Sequence, residues 1–96
     1  MRVIWSPEAS RDLDRLYNFL ARVAPEAAEK MLISLAHAPE RLTGLPRIGP
    51  RLDGFNPREV RKLGVGKYEL RYEMLQDAIY IIRVFHVRED RSFEDG

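Results

Sequence analysis

Apolar and polar residues alternate strictly between Lys67 and Leu75. Tyr68, Leu70, Tyr72 and Met74 fall on one side, Glu69, Arg71 and Glu73 on the other. That alternation predicts a strand with one buried face. A turn at Gln76-Asp77 follows. The stretch Ile79 to Val87 is then apolar on both sides except at Arg83 and His86. A strand of that kind belongs in the middle of a sheet, covered on both faces. Tyr68 to Met74 supplies one neighbour, and the short apolar run Arg2 to Trp5 is the expected other.

The period changes near the N-terminus. Ser6-Pro7-Glu8 predicts a helix start: a capping hydroxyl, a proline where no donor is needed, and a carboxylate near the positive end of the helix dipole. Ala9, Leu13, Leu16, Tyr17, Leu20 and Val23 recur at helical spacing as one stripe. Arg11, Asp12, Asp14, Arg15 and Asn18 read mostly as off-stripe. Pro25 begins a second helix whose stripe is Ala28, Met31, Leu32, Leu35, Ala36 and Leu42. The short connection makes the two helices antiparallel neighbours. Pro39 is expected to end or kink the second helix near Ala38.

Thr43 to Pro57 carries repeated glycine and proline breaks and reads as a long loop, the kind that is more often functional than idle. Glu59 to Leu63 reads as a strand, Gly64-Val65-Gly66 as a turn, and Ser92 to Gly96 as a frayed tail. The order β-α-α-β-β-β predicts an α+β, two-layer domain over residues 1–96. An antiparallel helical hairpin packs on a small, largely antiparallel sheet.

Composition narrows the function classes. Ninety-six residues suit one domain with one modest core. No apolar run is long enough for a membrane span and no signal peptide is visible, so a cytoplasmic protein with no membrane partner is expected. Without cysteine there is no disulfide or thiolate chemistry. Net charge is only +1. The basic excess is mild and lies in the C-terminal third, which permits an anionic partner without demanding one. The two histidines, His37 and His86, are not set among other ligands at metal spacing, and neither metal nor cofactor is expected.

Two readings of the polar residues in the strands stay open. Metal-free RNA cleavage needs a base, an acid and a cation for the phosphorane, and Arg71, Arg83, Arg88, Glu69 and His86 are the residues that would supply them. The same residues also read as structure: Glu69 and Arg71 as an ion pair on a solvated face, Arg83 as a half-buried ion pair whose face depends on the pleat, His86 as a satisfied strand-end histidine. A small domain of this kind also suits protein binding, by strand addition or by a helix seated in a groove.

Several segments together resemble the RelE/ParE toxin superfamily of bacterial type II toxin–antitoxin pairs. They are Trp5-Ser-Pro-Glu-Ala9 with Asp12-Leu13, Val60-Arg-Lys-Leu63, Tyr68-Glu-Leu-Arg-Tyr72, and Ile81-Ile-Arg-Val-Phe-His86 running into Arg88-Glu-Asp-Arg91. The resemblance implies a toxin neutralised by a small antitoxin, with operator DNA reached only through that antitoxin. RelE-like members cut mRNA in the ribosome, and ParE-like members poison DNA gyrase. The ParE branch fits better. Glu69 stands where RelE-like nucleases often carry arginine, no tyrosine follows Tyr80, and Val87 follows His86. The ParE-like reading implies no catalytic residue, a ParD-like antitoxin and gyrase as target. The RelE-like alternative would make Arg71, Arg83 and His86 catalytic. The residues expected to meet partners are Tyr17, Leu20, Leu45, Arg61, Arg71, Arg83, Arg88 and Arg91.

Overall fold

The first turn of helix α1 (Pro7–Ala21) is built by the residues that predict it. Ser6 is extended, and its Oγ accepts from the Ala9 N–H at 2.9 Å. The same hydroxyl donates to the Ile82 carbonyl at 2.9 Å, so the cap also ties α1 to the sheet. The computed structural model describes residues 1–89. Its elements are β1 (Arg2–Trp5), α1, α2 (Pro25–His37), α3 (Glu40–Gly44), β2 (Val60–Val65), β3 (Tyr68–Met74) and β4 (Ala78–His86). Both Arg91 and the expected tail lie outside the described residues.

The sheet order is β1-β4-β3-β2, which places β4 centrally between β1 and β3 as expected. β1 runs parallel to β4, and the other pairs are antiparallel. The helices cover one face. Leu16 from α1, Met31 and Leu35 from α2 and Leu42 from α3 join Leu63, Leu70, Tyr72, Ile79, Ile81 and Val84 in one core. β2, β3 and β4 follow one another in sequence and in the sheet, whereas β1 crosses from the start of the chain to pair with the last strand.

Four local details differ from the expectation, each for a physical reason. Pro39 stops α2 as expected, but the chain re-enters a separate short helix that runs to Gly44, past the Thr43 where a loop was expected to begin; Leu42 is core, as its place on the stripe predicts. Val23 lies beyond the end of α1 and is exposed, because the helical stripe cannot outlast the helix. β2 continues to Val65, which pairs with Tyr68, so the turn is Gly66-Lys67. Gly66 has φ 59°, the conformation a tight hairpin turn demands of glycine. Asp12 is buried at 3%, on the side of α1 that meets β4.

The pleat of β4 is decided by a bulge. Tyr72 pairs with Ile81 and Arg71 with Arg83, which leaves Ile82 as an extra residue. One inserted residue reverses the side-chain alternation beyond it. Ile79, Ile81 and Val84 therefore face the helices, while Arg83 and Phe85 turn to the opposite face.

Candidate functional site

A groove of about 660 Å³ opens where α1, α2 and the β3–β4 hairpin meet. Its floor is apolar: Leu16, Leu20, Met31 and the ring of Tyr68. Phe19 stands at its edge, 74% exposed. Lys67, Arg88, Arg15, His86 and Glu89 supply the polar rim. A smaller pocket shares Met31, Lys67 and Tyr68 and extends the groove toward Ser34 and Val65. Local sequence explains the shape. Ala27 and Ala28 keep α2 slim beside α1, and the Gly66-Lys67 turn lets β3 start close beneath Met31.

The rim is net positive in effect. Arg15 is held by Asp12 at 3.1 Å and by Glu89. Lys67 and Arg88 make no ion pair among the described residues. His86 Nδ1 accepts from the Arg88 backbone N–H at 3.1 Å, so in the neutral ring the proton sits on Nε2. The ring meets Tyr68 edge to face at 5.3 Å. Burial raises the Tyr68 hydroxyl above its ordinary range, which keeps it a neutral part of the wall.

On the helix-free face, two arginines stack on one ring. The guanidinium carbons of Arg71 and Arg83 lie 5.3 and 4.8 Å from the Phe85 centroid. Both are neutralised. Arg71 Nε donates to Glu69 at 3.0 Å, with each side chain only 13% exposed. Arg83 binds Asp12 through two contacts at 2.8 and 3.1 Å. Asp12 also accepts from the Val84 N–H at 2.8 Å, where the end of β1 leaves the edge of β4 open. The face expected to be solvated is thus a half-buried lattice of ion pairs.

The residues expected to act or bind are therefore scattered. Leu20, Arg88 and His86 line the groove. Tyr17 packs against the core. Leu45 is exposed, on the segment after α3. Arg61 turns inward to Glu59 and to the Gly49 and Arg47 carbonyls. Arg71 and Arg83 share the opposite face from His86. The pattern reading did not single out Phe19, Met31, Lys67 or Asp12 as site or anchor residues. Phe19 was legible as a large apolar side chain off the α1 stripe. Asp12 was legible as the residue between Ala9 and Leu16 on the helical wheel. Among the described residues no three His, Cys, Asp or Glu gather as a metal site, and no helix is long and apolar enough to cross a membrane.

Comparison with known proteins converges on one group. The family model described as the ParE toxin of the type II toxin–antitoxin system parDE matches residues 3–91. A Mycobacterium tuberculosis protein named toxin ParE1 is 34% identical over 91 residues, covering 93% of this chain and 92% of that toxin. A Caulobacter vibrioides protein named toxin RelE1 is 33% identical over 90 residues, covering 93% and 96%. In solved structures, a chain of the chromosomal ParDE system from P. aeruginosa superposes with a TM-score of 0.75 at 22% identity, over 90% of this chain and 95% of that one, which establishes the shared fold. With the family model spanning nearly the whole chain and these relatives matching over more than nine-tenths of both lengths, the protein belongs to the ParE toxin family of type II toxin–antitoxin systems.

Proposed function

We propose that this toxin acts by binding DNA gyrase without chemistry of its own, and that an acidic, ParD-like antitoxin neutralises it in the cytoplasm by seating a segment in the α1–α2–β3 groove. One observation supports the absence of nuclease chemistry most directly. The groups a nuclease would need leave their strands on opposite faces, and the arginines are already engaged by carboxylates. His86 faces the helices beside Tyr68, whereas Arg71 and Arg83 face the other way. A cation stabilises a phosphorane best when it is preorganised and unspent. Family membership supports the gyrase target.

The groove supports the antitoxin site through its anatomy: an apolar floor inside a polar rim, with a large exposed aromatic at its edge. Lys67 and Arg88 select carboxylates on the incoming segment. Phe19→Asp should weaken binding of the neighbouring reading frame's product by roughly 10-fold or more, while leaving the fold intact. Titration calorimetry measures it, and unchanged affinity would place the antitoxin elsewhere.

Target identity is tested by pairing a gyrase supercoiling and cleavage assay with primer extension on translated mRNA, using one protein preparation. Trapped cleaved DNA with intact message is the expected result, and His86→Ala should remain toxic. Codon-positioned cuts abolished by His86→Ala would instead establish ribosome-dependent cleavage, since loss of one acid–base group typically costs about 100-fold or more.

A further inference from the structure

Two pairs of adjacent large apolar side chains stand exposed. Phe19 stands at the groove edge, and Val23 follows just past the end of α1. The second pair, Leu45 and Ile48, is 62% and 53% exposed and does not line the groove. A turn joins them, closed by the Ile48 N–H on the Leu45 carbonyl at 3.1 Å.

Single exposed apolar residues are ordinary. This pair differs because its backbone is fastened from inside. Tyr72 is fully buried, yet its hydroxyl donates to the Pro46 carbonyl at 2.8 Å and accepts from the Gly49 N–H at 3.2 Å. Arg61 donates to the Gly49 carbonyl at 2.7 Å. Glu59 receives Arg47 and Arg61, each at 2.8 Å. A turn held this way loses little conformational freedom on docking, so its exposed side chains act as preorganised anchors. The surroundings carry a small cationic excess: from Glu40 to Arg61 five arginines stand against three carboxylates, and Glu73 pairs with one of the five, Arg58, at 2.9 Å. Arg41 and Arg51 make no ion pair among the described residues.

The turn also sits apart from the groove. It is pinned at the Arg61 end of β2, four residues from Val65 and hence about 13 Å along the strand. We infer that the Leu45–Ile48 turn is a second docking element, which inserts into an apolar depression ringed by carboxylates on the protein the toxin attacks. The antitoxin occupies the groove instead. The inference rests on the toxin reading above and adds a target-facing surface to it.

The test compares wild type, a Leu45→Ser/Ile48→Ser double variant, Arg51→Glu and the groove variant Phe19→Asp. Each is measured for thermal unfolding, for calorimetric affinity to the adjacent reading frame's product, and for the inducer level that arrests growth. The double variant should melt like wild type, bind antitoxin within roughly 3-fold, and need about 10-fold more inducer. Phe19→Asp should show the opposite split, losing antitoxin affinity. Arg51→Glu should weaken arrest alone, and it carries the decision should the double variant melt early. Arrest unchanged in these turn variants overturns the inference. So does a parallel loss of antitoxin affinity, which would assign the turn to the antitoxin. A wild-type protein that neither arrests growth nor binds the antitoxin removes the toxin reading, and the inference with it.

Discussion

Asp12 gathers a cluster of polar contacts on one buried carboxylate. Its carboxylate receives the Val84 N–H, two contacts from Arg83 and one from Arg15, at 4% side-chain exposure. Removing it strands a backbone donor and a stacked guanidinium. Asp12→Ala should cost about 3 kcal/mol, the low end for breaking a buried pair because Arg83 keeps some solvent contact. A loss under about 1 kcal/mol in urea denaturation would show that water replaces the carboxylate. Ile81 tests the central strand in apolar terms. It is fully buried between β1 and β3, so Ile81→Ala should cost about 2–5 kcal/mol. Glu59 gives a pH signature. Hydrogen bonds from Arg47 and then Arg61 hold its carboxyl down to about 2, against an ordinary 4.5. The folded state therefore binds that proton more weakly than the unfolded chain. The stabilisation is complete above about 4.5 and disappears as pH falls toward 2. Wild type should lose more of its melting temperature across that window than Glu59→Gln; identical slopes would remove the network from the stability account.

At the scale of elements, the long connection between α3 and β2 is only partly a loop. Residues 50–52 run along β2: Leu52 N–H bonds the Val60 carbonyl at 2.8 Å, and Lys62 N–H bonds Pro50 at 3.1 Å. That covers a sheet edge otherwise open to foreign strands. Gly49 permits the approach, because a Cβ there would overlap the Lys62 carbonyl oxygen. Gly49→Ala should cost about 1–3 kcal/mol and detach the turn from Tyr72. Unaltered stability would mean that the strand yields easily. Hydrogen exchange should divide the connection. Gly49 and Leu52 amides should be protected, Asp53 to Asn56 should exchange rapidly, and Ile79 to Phe85 should be slowest of all. Uniformly fast exchange from Pro46 to Pro57 would contradict the anchored turn.

For the whole molecule, the gyrase and message assays decide the target, while the architecture leaves room on so small a chain for the two separate docking surfaces proposed above. The groove uses the helical side, the ion-pair lattice closes the other face, and the Leu45–Ile48 turn projects from a strand edge. The order of elements, the central place of β4 and the family were legible in the chain, because hydrophobic period and capping are local properties carried by consecutive residues. Tyr72 illustrates the limit. Its alternation marked it as core, and nothing nearby in sequence said that its hydroxyl would hold a turn more than twenty residues earlier. Arg83 illustrates it again. Alternation left its face open, and the Ile82 bulge turned it away from Ile81 toward Asp12 and Phe85. Pairing across strands, the direction of a side chain after a bulge and the meeting of distant charges depend on residues far apart in the chain. Only the folded packing brings them within hydrogen-bond reach, and so only the tertiary structure separated His86 from the arginines and assembled the groove.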